Sequence, residues 1–335
     1  MSAFTAVLTA MLLLLVIAIG SERNNRMNVS SPASHFDYYG WFYFSYTAEE
    51  KDLAEIASYT NTAFAHSPEQ AKILKPYGFK HIFYHPSERA IIDTFWQREG
   101  REAPHAGPHG RYFYEKEIPD FREKFFAAYR QYLQQLKEDL IAAEVYNDID
   151  VFYIADEPAL HRNVYLDQAF LERYVDEFKK IFPGKKCTMA FAENWDPENN
   201  PYPGTGRHFK PPKNMDLLIM EAYFYPPHSP KNTVTSDRDS IKTWIYERMP
   251  SSKLNWAKQF DKPIIVVGDA RLQGNVPLKD CWITETYNIL KEDPAVKGIV
   301  WFLYDKDYKE ESEDGQITGA ANDPRLVALI KGLSR

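Results

Sequence analysis

The stretch Asp150–Pro158 reads DVFYIADEP. It opens as an apolar, aromatic and β-branched run of strand length, then stops on two adjacent acids and a proline, through which no central strand continues. A strand that carries two carboxylates to its own carboxyl end is a candidate active-site strand. Several other runs in the chain end in acids, aromatics or histidines in the same way, so the fold is decided by how these strand ends are brought together.

Outward from this stretch the chain alternates. Phe36–Tyr46 (FDYYGWFYFSY) reads as a first strand, and the acid-led, helically spaced segment after it as a helix. Further strands are expected at Asn61–His66, Lys80–His85, Cys187–Glu193, Met215–Tyr225, Pro263–Asp269 and Gly298–Tyr304, and helices at Pro68–Lys75, Phe121–Val145, Tyr165–Phe182, Ile241–Phe260, Asp280–Lys291 and Pro324–Leu333. Two connections are long. Pro86–Asp120 contains PHAGPHG, with His105 and His109, and reads as an inserted loop; Asp196–Asn214 is rich in Pro, Gly and Asn and long enough to suggest a functional role. Eight strands alternating with helices imply a parallel sheet, and units of about 40 residues suit a closed (β/α)8 TIM barrel, an α/β fold, better than an open doubly wound sheet. No G-x-G-x-x-G follows the first strand, so a dinucleotide-binding fold is the weaker alternative.

With 335 residues, 44% of them apolar, the chain can bury a sizeable core. Asp and Glu outnumber Lys and Arg by 47 to 40, which argues against a nucleic-acid partner, because phosphate neutralisation needs a dense basic face. Aromatic residues make up 15% of the chain; flat amphipathic rings suit sugar faces and equally suit an aromatic core. Residues 3–20 form an apolar run without a charge, and Ala18 and Gly20 fit a small-residue cleavage site. Residues 1–20 therefore read as a signal peptide cleaved near Gly20, residues 21–34 as a linker, and residues 35–335 as a single catalytic barrel that is exported, secreted or periplasmic. No Lys or Arg precedes the run while Arg23 and Arg26 follow it; that order favours the alternative, an uncleaved membrane tether with the domain on the cytoplasmic side. Cys187 and Cys281 read as separate buried thiols.

In a barrel of this kind the chemistry sits at the carboxyl ends of the strands. Those ends carry Phe44 and Tyr46, His66, Tyr84 and His85, Asp156 and Glu157, Glu193 with Asn194 and Trp195, Glu221 with Tyr223 and Tyr225, Asp269 with Arg271, and Trp301 with Tyr304 and Asp305. A solvated rim is also polar, so a single acid says little; Glu157 ranks first because it is paired. His66 and His85 suit a substrate hydroxyl or, with the acids, a metal, but their spacing matches no ligand motif, and ordinary strand-end hydrogen bonding is the plainer reading. No G-x-S-x-G is present for a serine hydrolase. Gly204–Lys210 (GTGRHFK) lies inside the long loop rather than between a strand and a helix, and reads as a lid or rim rather than a phosphate cradle.

ADEP at the end of the fourth strand resembles the acid/base position of barrel-fold glycoside hydrolases, where that strand ends in Asn-Glu-Pro or a similar run, and Trp301 in GIVWFLY is similar to the tryptophan that such enzymes place under the sugar. The resemblance covers the chain from about Phe36 onward through short motifs, and departs from the largest clan in having Asp156 where Asn usually precedes the acid. It implies a retaining glycosidase acting on an oligo- or polysaccharide, with Glu157 as general acid/base, Trp301, Tyr223, Tyr225, Trp195, His66, His85, Asn194, Arg271 and Tyr46 around the sugar, and no metal or organic cofactor. Two mechanisms stay open. The Asp-Glu pair also looks like that of N-acetylhexosaminidase-type barrels, in which the substrate's acetamido group attacks and Asp156 would orient it; otherwise a protein carboxylate attacks, Asp269 by strand position or Glu221. A non-catalytic carbohydrate-binding barrel and a metal-dependent hydrolase barrel are the alternatives from other classes.

Overall fold

A computed structural model describes residues 34–42, 50–100, 118–158, 167–191, 210–222, 237–248, 254–270, 272–273, 279–305, 307, 309–312 and 315–335. Eight strands close into an all-parallel barrel: β1 (Tyr38–Trp41), β2 (Thr62–Ala65), β3 (His81–Tyr84), β4 (Ile149–Ala155), β5 (Lys186–Phe191), β6 (Leu217–Ala222), β7 (Ile264–Asp269) and, last around the ring, β9 (Val296–Phe302), which pairs back onto β1 from Tyr38↔Gly298 to Trp41↔Trp301. The strands read as nearly continuous apolar runs because both faces are covered, by the barrel interior on one side and the helix layer on the other.

The two faces separate cleanly. One apolar cluster draws on strands all around the ring and on no helix: Tyr38, Phe42, Phe64, Phe83, Val151, Tyr153, Ala190, Leu217, Ile219, Ile265, Val267 and Val300, with Phe302 packed against it. This is the barrel interior. The alternate residues, among them Tyr39, Trp41, Phe152, Ile154, Met220, Val266 and Trp301, belong to the larger cluster shared with the helices.

The helices are α1 (Glu50–Ala57), α2 (Pro68–Leu74), α3 (Glu88–Arg98), α4 (Phe121–Ala142), α5 (Gln168–Ile181), α6 (Arg238–Thr243), α7 (Leu254–Ala257), α8 (Lys279–Lys291) and α9 (Pro324–Leu333). Their starts follow from side-chain caps. Ser67, Ser87, Asp167 and Asp323 each accept a hydrogen bond from a backbone amide of the first turn of α2, α3, α5 and α9. In α5 the buried side chains Phe170, Leu171, Tyr174, Val175 and Phe178 recur at helical spacing along the face that meets the barrel.

Three expectations are corrected. The segment from Pro86 is not all loop, because Glu88–Arg98 is a helix burying Ile91, Ile92, Phe95 and Trp96; His105 and His109 lie outside the described residues. The single helix expected over Ile241–Phe260 is instead α6, a π-helical turn Trp244–Arg248, α7 and a 3-10 turn Lys258–Phe260; Pro250, which cannot donate to a helical hydrogen bond, falls between the pieces. Finally, β9 does not lead straight into the last helix. A hairpin, β10 (Lys309–Ser312) and β11 (Gly315–Thr318), pairs antiparallel with the short β8 (Leu272–Gln273) that follows β7, forming a small sheet beside the carboxyl ends of β7 and β9.

At the other end of the barrel, the Asp150 carboxylate meets His81 Nδ1 at 2.6 Å and Lys186 Nζ at 3.1 Å. Cys187 is buried and Cys281 partly so, and both are free thiols. No helix among the described residues is long and apolar enough to cross a membrane; residues 3–20 lie outside that set.

Candidate functional site

Alternation along the strands determines which acids turn inward. Leu217 and Ile219 of β6 point into the barrel, so Glu221, two residues on, does too; by the same step from Ile265 and Val267, Asp269 of β7 faces inward. Both are buried, Glu221 at 2% exposure and Asp269 at 5%. Glu221 pairs with Val267, so Asp269 stands one pleat further along the neighbouring strand, with Cα atoms about 7–8 Å apart by sheet geometry. Carboxylates this buried must be neutralised, hydrogen-bonded or paired.

Asp156 and Glu157 close β4 and are half-buried. Tyr153, an interior residue of the same strand, donates its hydroxyl to Asp156 Oδ1, and the Asp156 amide donates to Glu88 Oε1 at 3.1 Å. The chain then turns sharply: Glu157 has φ 44°, a left-handed conformation that costs a non-glycine residue roughly 1–3 kcal/mol and persists only where surrounding structure enforces it. The other described non-glycine residues with positive φ are Asp120, Glu144 and Asp261, which flank helices; Glu157 stands at the end of a barrel strand.

His66 and His85 follow β2 and β3 and come together, with ring centroids 5.2 Å apart. His85 lies 4.5 Å from the Tyr153 ring, and its two ring nitrogens are buried without a hydrogen-bond partner among the described residues. Burial pushes the His66 imidazole down to about 3, helped by His85 and opposed by Asp156, and burial alone pushes His85 down to about 4. Both rings are therefore neutral at physiological pH. Among the described residues no group of three or more His, Cys, Asp or Glu side chains converges as a metal site.

Aromatic side chains line the barrel at and just below these acids. Phe42 packs edge-on to Phe64 at 4.9 Å, to Tyr153 at 5.5 Å and to Phe302 at 6.3 Å. Trp301 is not among them, and the expectation that it stacks under a sugar is corrected. Its side chain is fully buried in the layer between barrel and helices, where Nε1 donates to the Tyr39 hydroxyl at 3.4 Å and Tyr39 in turn donates to the Ile330 carbonyl of α9 at 2.5 Å. The ring lies over Gly268, where a Cβ would stand 2.6 Å from Trp301 Cζ3. Tyr46, Asn194, Trp195, Tyr223, Tyr225 and Arg271 lie outside the described residues. Sequence reasoning missed Tyr153, Glu88, Phe42 and Phe302; the period-2 alternation already marked Tyr153 and Phe302 as sharing a face with strand-end positions.

The same architecture recurs in solved structures. The chain aligns with β-D-glucuronidase of Dictyoglomus thermophilum at TM-score 0.56 and 13% identity, covering 90% of this chain and 51% of that one. It aligns with the β-glucuronidase of Ruminococcus gnavus at TM-score 0.55 and 11% identity, covering 89% and 50%, and with the uronic isofagomine complex of that enzyme at TM-score 0.54 and 12% identity, covering 89% and 51%. The likeness is one of fold, and the chain spans about half the length of these enzymes. No protein-family model and no curated protein sequence matches it.

Proposed function

We propose that the chain is a glycoside hydrolase that cleaves O-glycosidic bonds of an extracytoplasmic oligo- or polysaccharide, with Glu157 as general acid/base. The observation that carries this reading is the gathering of four carboxylates, Asp156 and Glu157 from β4, Glu221 from β6 and Asp269 from β7, at the carboxyl end of one closed barrel over an aromatic lining. Glycosidic cleavage needs a proton donor on the leaving oxygen and a nucleophile at the anomeric carbon, with retaining geometry at about 5 Å between the two carboxyl groups. The strained turn at Glu157 and the inward, buried setting of Asp269 and Glu221 suit those two duties, and the aromatic lining excludes water and strengthens electrostatic stabilisation of the developing oxocarbenium ion. The neighbours in fold are glycosidases by name, which supports the class.

In this scheme Glu157 protonates the leaving group, and Asp269, further along its strand than Glu221, attacks; Glu157 then activates water to release the sugar. In the acetamido scheme Asp156, held by Tyr153, orients the substrate's own nucleophile. His66, neutral and partly exposed, can exchange hydrogen bonds with a sugar hydroxyl, whereas the ring nitrogens of His85 are buried. Export through residues 1–20 matches a polymeric substrate outside the cytoplasm. The test is a screen of the purified protein on 4-nitrophenyl glycosides, including glucuronides and N-acetylhexosaminides; release of nitrophenol from at least one member supports the reading, and no release from any, with the fold intact, contradicts it.

A further inference from the structure

The Asp156 amide leaves the barrel ladder at the point where the β4–β5 register is already irregular, between Tyr153 and Ala155. Its acceptor comes instead from Glu88, on the first turn of α3, and a carboxylate acceptor makes a bond about twice as strong as a neutral one. Glu88 is itself well placed. His85 donates its amide to the Ala65 carbonyl at 2.8 Å, Ser87 donates its amide to the Tyr132 hydroxyl of α4 at 3.1 Å, and the Ser87 hydroxyl caps α3 by accepting from the Ala90 amide at 3.1 Å. The segment from His85 to Glu88 is thus fastened to β2 and α4 before it reaches β4.

We propose that Glu88 is a positioning residue: by holding the Asp156 amide it fixes the peptide that enters the left-handed turn, and so holds Glu157 in place at the mouth of the barrel. The functional half of this inference rests on the reading of Glu157 as acid/base; the structural half does not. A strained residue relaxes unless its neighbours over-determine it, and the Glu88 bond to the backbone is one restraint immediately before the strain, beside the Tyr153 bond to the Asp156 carboxylate. Misplacing a catalytic group by about 1 Å is enough to cost on the order of 100-fold in rate.

Two variants of equal length separate the roles. Glu88→Gln keeps an acceptor oxygen, whereas Glu88→Met keeps the shape and removes the acceptor. Amide hydrogen exchange on the full-length, isotope-labelled protein reads the restraint without any substrate. Asp156 should exchange at least about 10-fold faster in Glu88→Met than in wild type or Glu88→Gln, with Phe152 and Ile154 unchanged. On whichever 4-nitrophenyl glycoside the wild type cleaves, Glu88→Met should lower kcat by about 10- to 100-fold with KM little changed, and Glu88→Gln should restore most of it. Unchanged Asp156 exchange in Glu88→Met overturns the proposal, as does faster exchange with wild-type kcat. Failure of the wild type on every glycoside contradicts the glycosidase reading alone, and the exchange result still decides whether Glu88 holds the turn.

Discussion

Tyr153 donates its hydroxyl to the Asp156 carboxylate, so an interior aromatic of β4 restrains the first of the two acids that end the strand. Tyr153→Phe keeps the ring, which is 1% exposed and packed at 4.5 Å on His85, and deletes only the donor. Hydrogen bonds to charged groups are worth about 1.5–3 kcal/mol, or roughly a 10- to 150-fold change in an equilibrium or a rate. If Asp156 acts on substrate, most of that loss falls on kcat/KM. Steady-state kinetics beside a thermal melt check it: unchanged kcat/KM with a lowered melting temperature makes the bond purely structural.

The two open mechanisms part at Asp156 and Asp269. With a protein nucleophile, Asp269→Asn or Glu221→Gln is the severe lesion, and azide restores turnover when that side chain is cut back to Ala, by taking the vacated place at the anomeric carbon. With an acetamido nucleophile, Asp156→Asn is nearly as damaging as loss of Glu157, Asp269→Asn stays active, and a thiazoline analogue inhibits. Asp269 and Glu221 are both buried and inward, so both enter the comparison. Azide rescue and thiazoline inhibition, measured side by side, decide between them.

Trp301 holds the barrel to its last helix through Tyr39 and Ile330. Trp301→Ala should cost about 3–5 kcal/mol of stability and leave sugar affinity of the folded protein unchanged. Gly268→Ala should destabilise by about 1–3 kcal/mol, because its Cβ would overlap a fully buried ring. Denaturant melts read both, and isothermal titration with a substrate analogue reads the affinity; weakened sugar binding by folded Trp301→Ala would restore the tryptophan to the site.

Acid should destabilise the fold in two steps. His66 and His85 bind protons in the unfolded chain below about 6.5 but in the folded protein only near 3 and 4, so the unfolded state takes up more protons and stability falls as pH drops from about 6.5 toward 4. Asp150 contributes in a lower window. Burial by itself would raise its pKa, yet the hydrogen bonds from His81 and Lys186 bring it below the ordinary carboxylate value, so its stabilisation is present above about pH 4 and lost beneath. Melting temperature against pH tests this: His66→Asn with His85→Phe should flatten the curve between pH 6.5 and 4, and an unaltered slope there contradicts the neutral-imidazole account.

The barrel was legible because apolar runs such as Val151–Ala155 and Ile264–Gly268 are long enough to be strands covered on both faces, and each ends in an acid. Helix α3 was missed although Ser87 and the spacing of Ile91, Ile92, Phe95 and Trp96 mark it; a βα unit has room for one helix, and Phe121–Ala142 already filled that place. Strands β10 and β11, KEES and GQIT, are short and carry no apolar period, so no alternation pointed to them. Trp301 was misassigned because a one-residue step in a strand exchanges interior for exterior: Val300 and Phe302 face the axis and Trp301 the helices. The left-handed turn at Glu157 was hidden altogether, since the residue before it bonds to Glu88, 68 residues away in sequence.

The most direct measurement compares Glu157→Gln with the wild type on two glycosides of the same sugar, one with a 4-nitrophenyl and one with a 2,4-dinitrophenyl leaving group. A general acid matters only where the leaving oxygen needs its proton. The account therefore predicts a loss of about 10²- to 10⁴-fold on the poorer leaving group and a far smaller loss of the glycosylation rate on the activated one, with the melting temperature preserved. Wild-type rates on both substrates, or equal losses on both in a folded variant, would contradict the assignment of Glu157 as the proton donor.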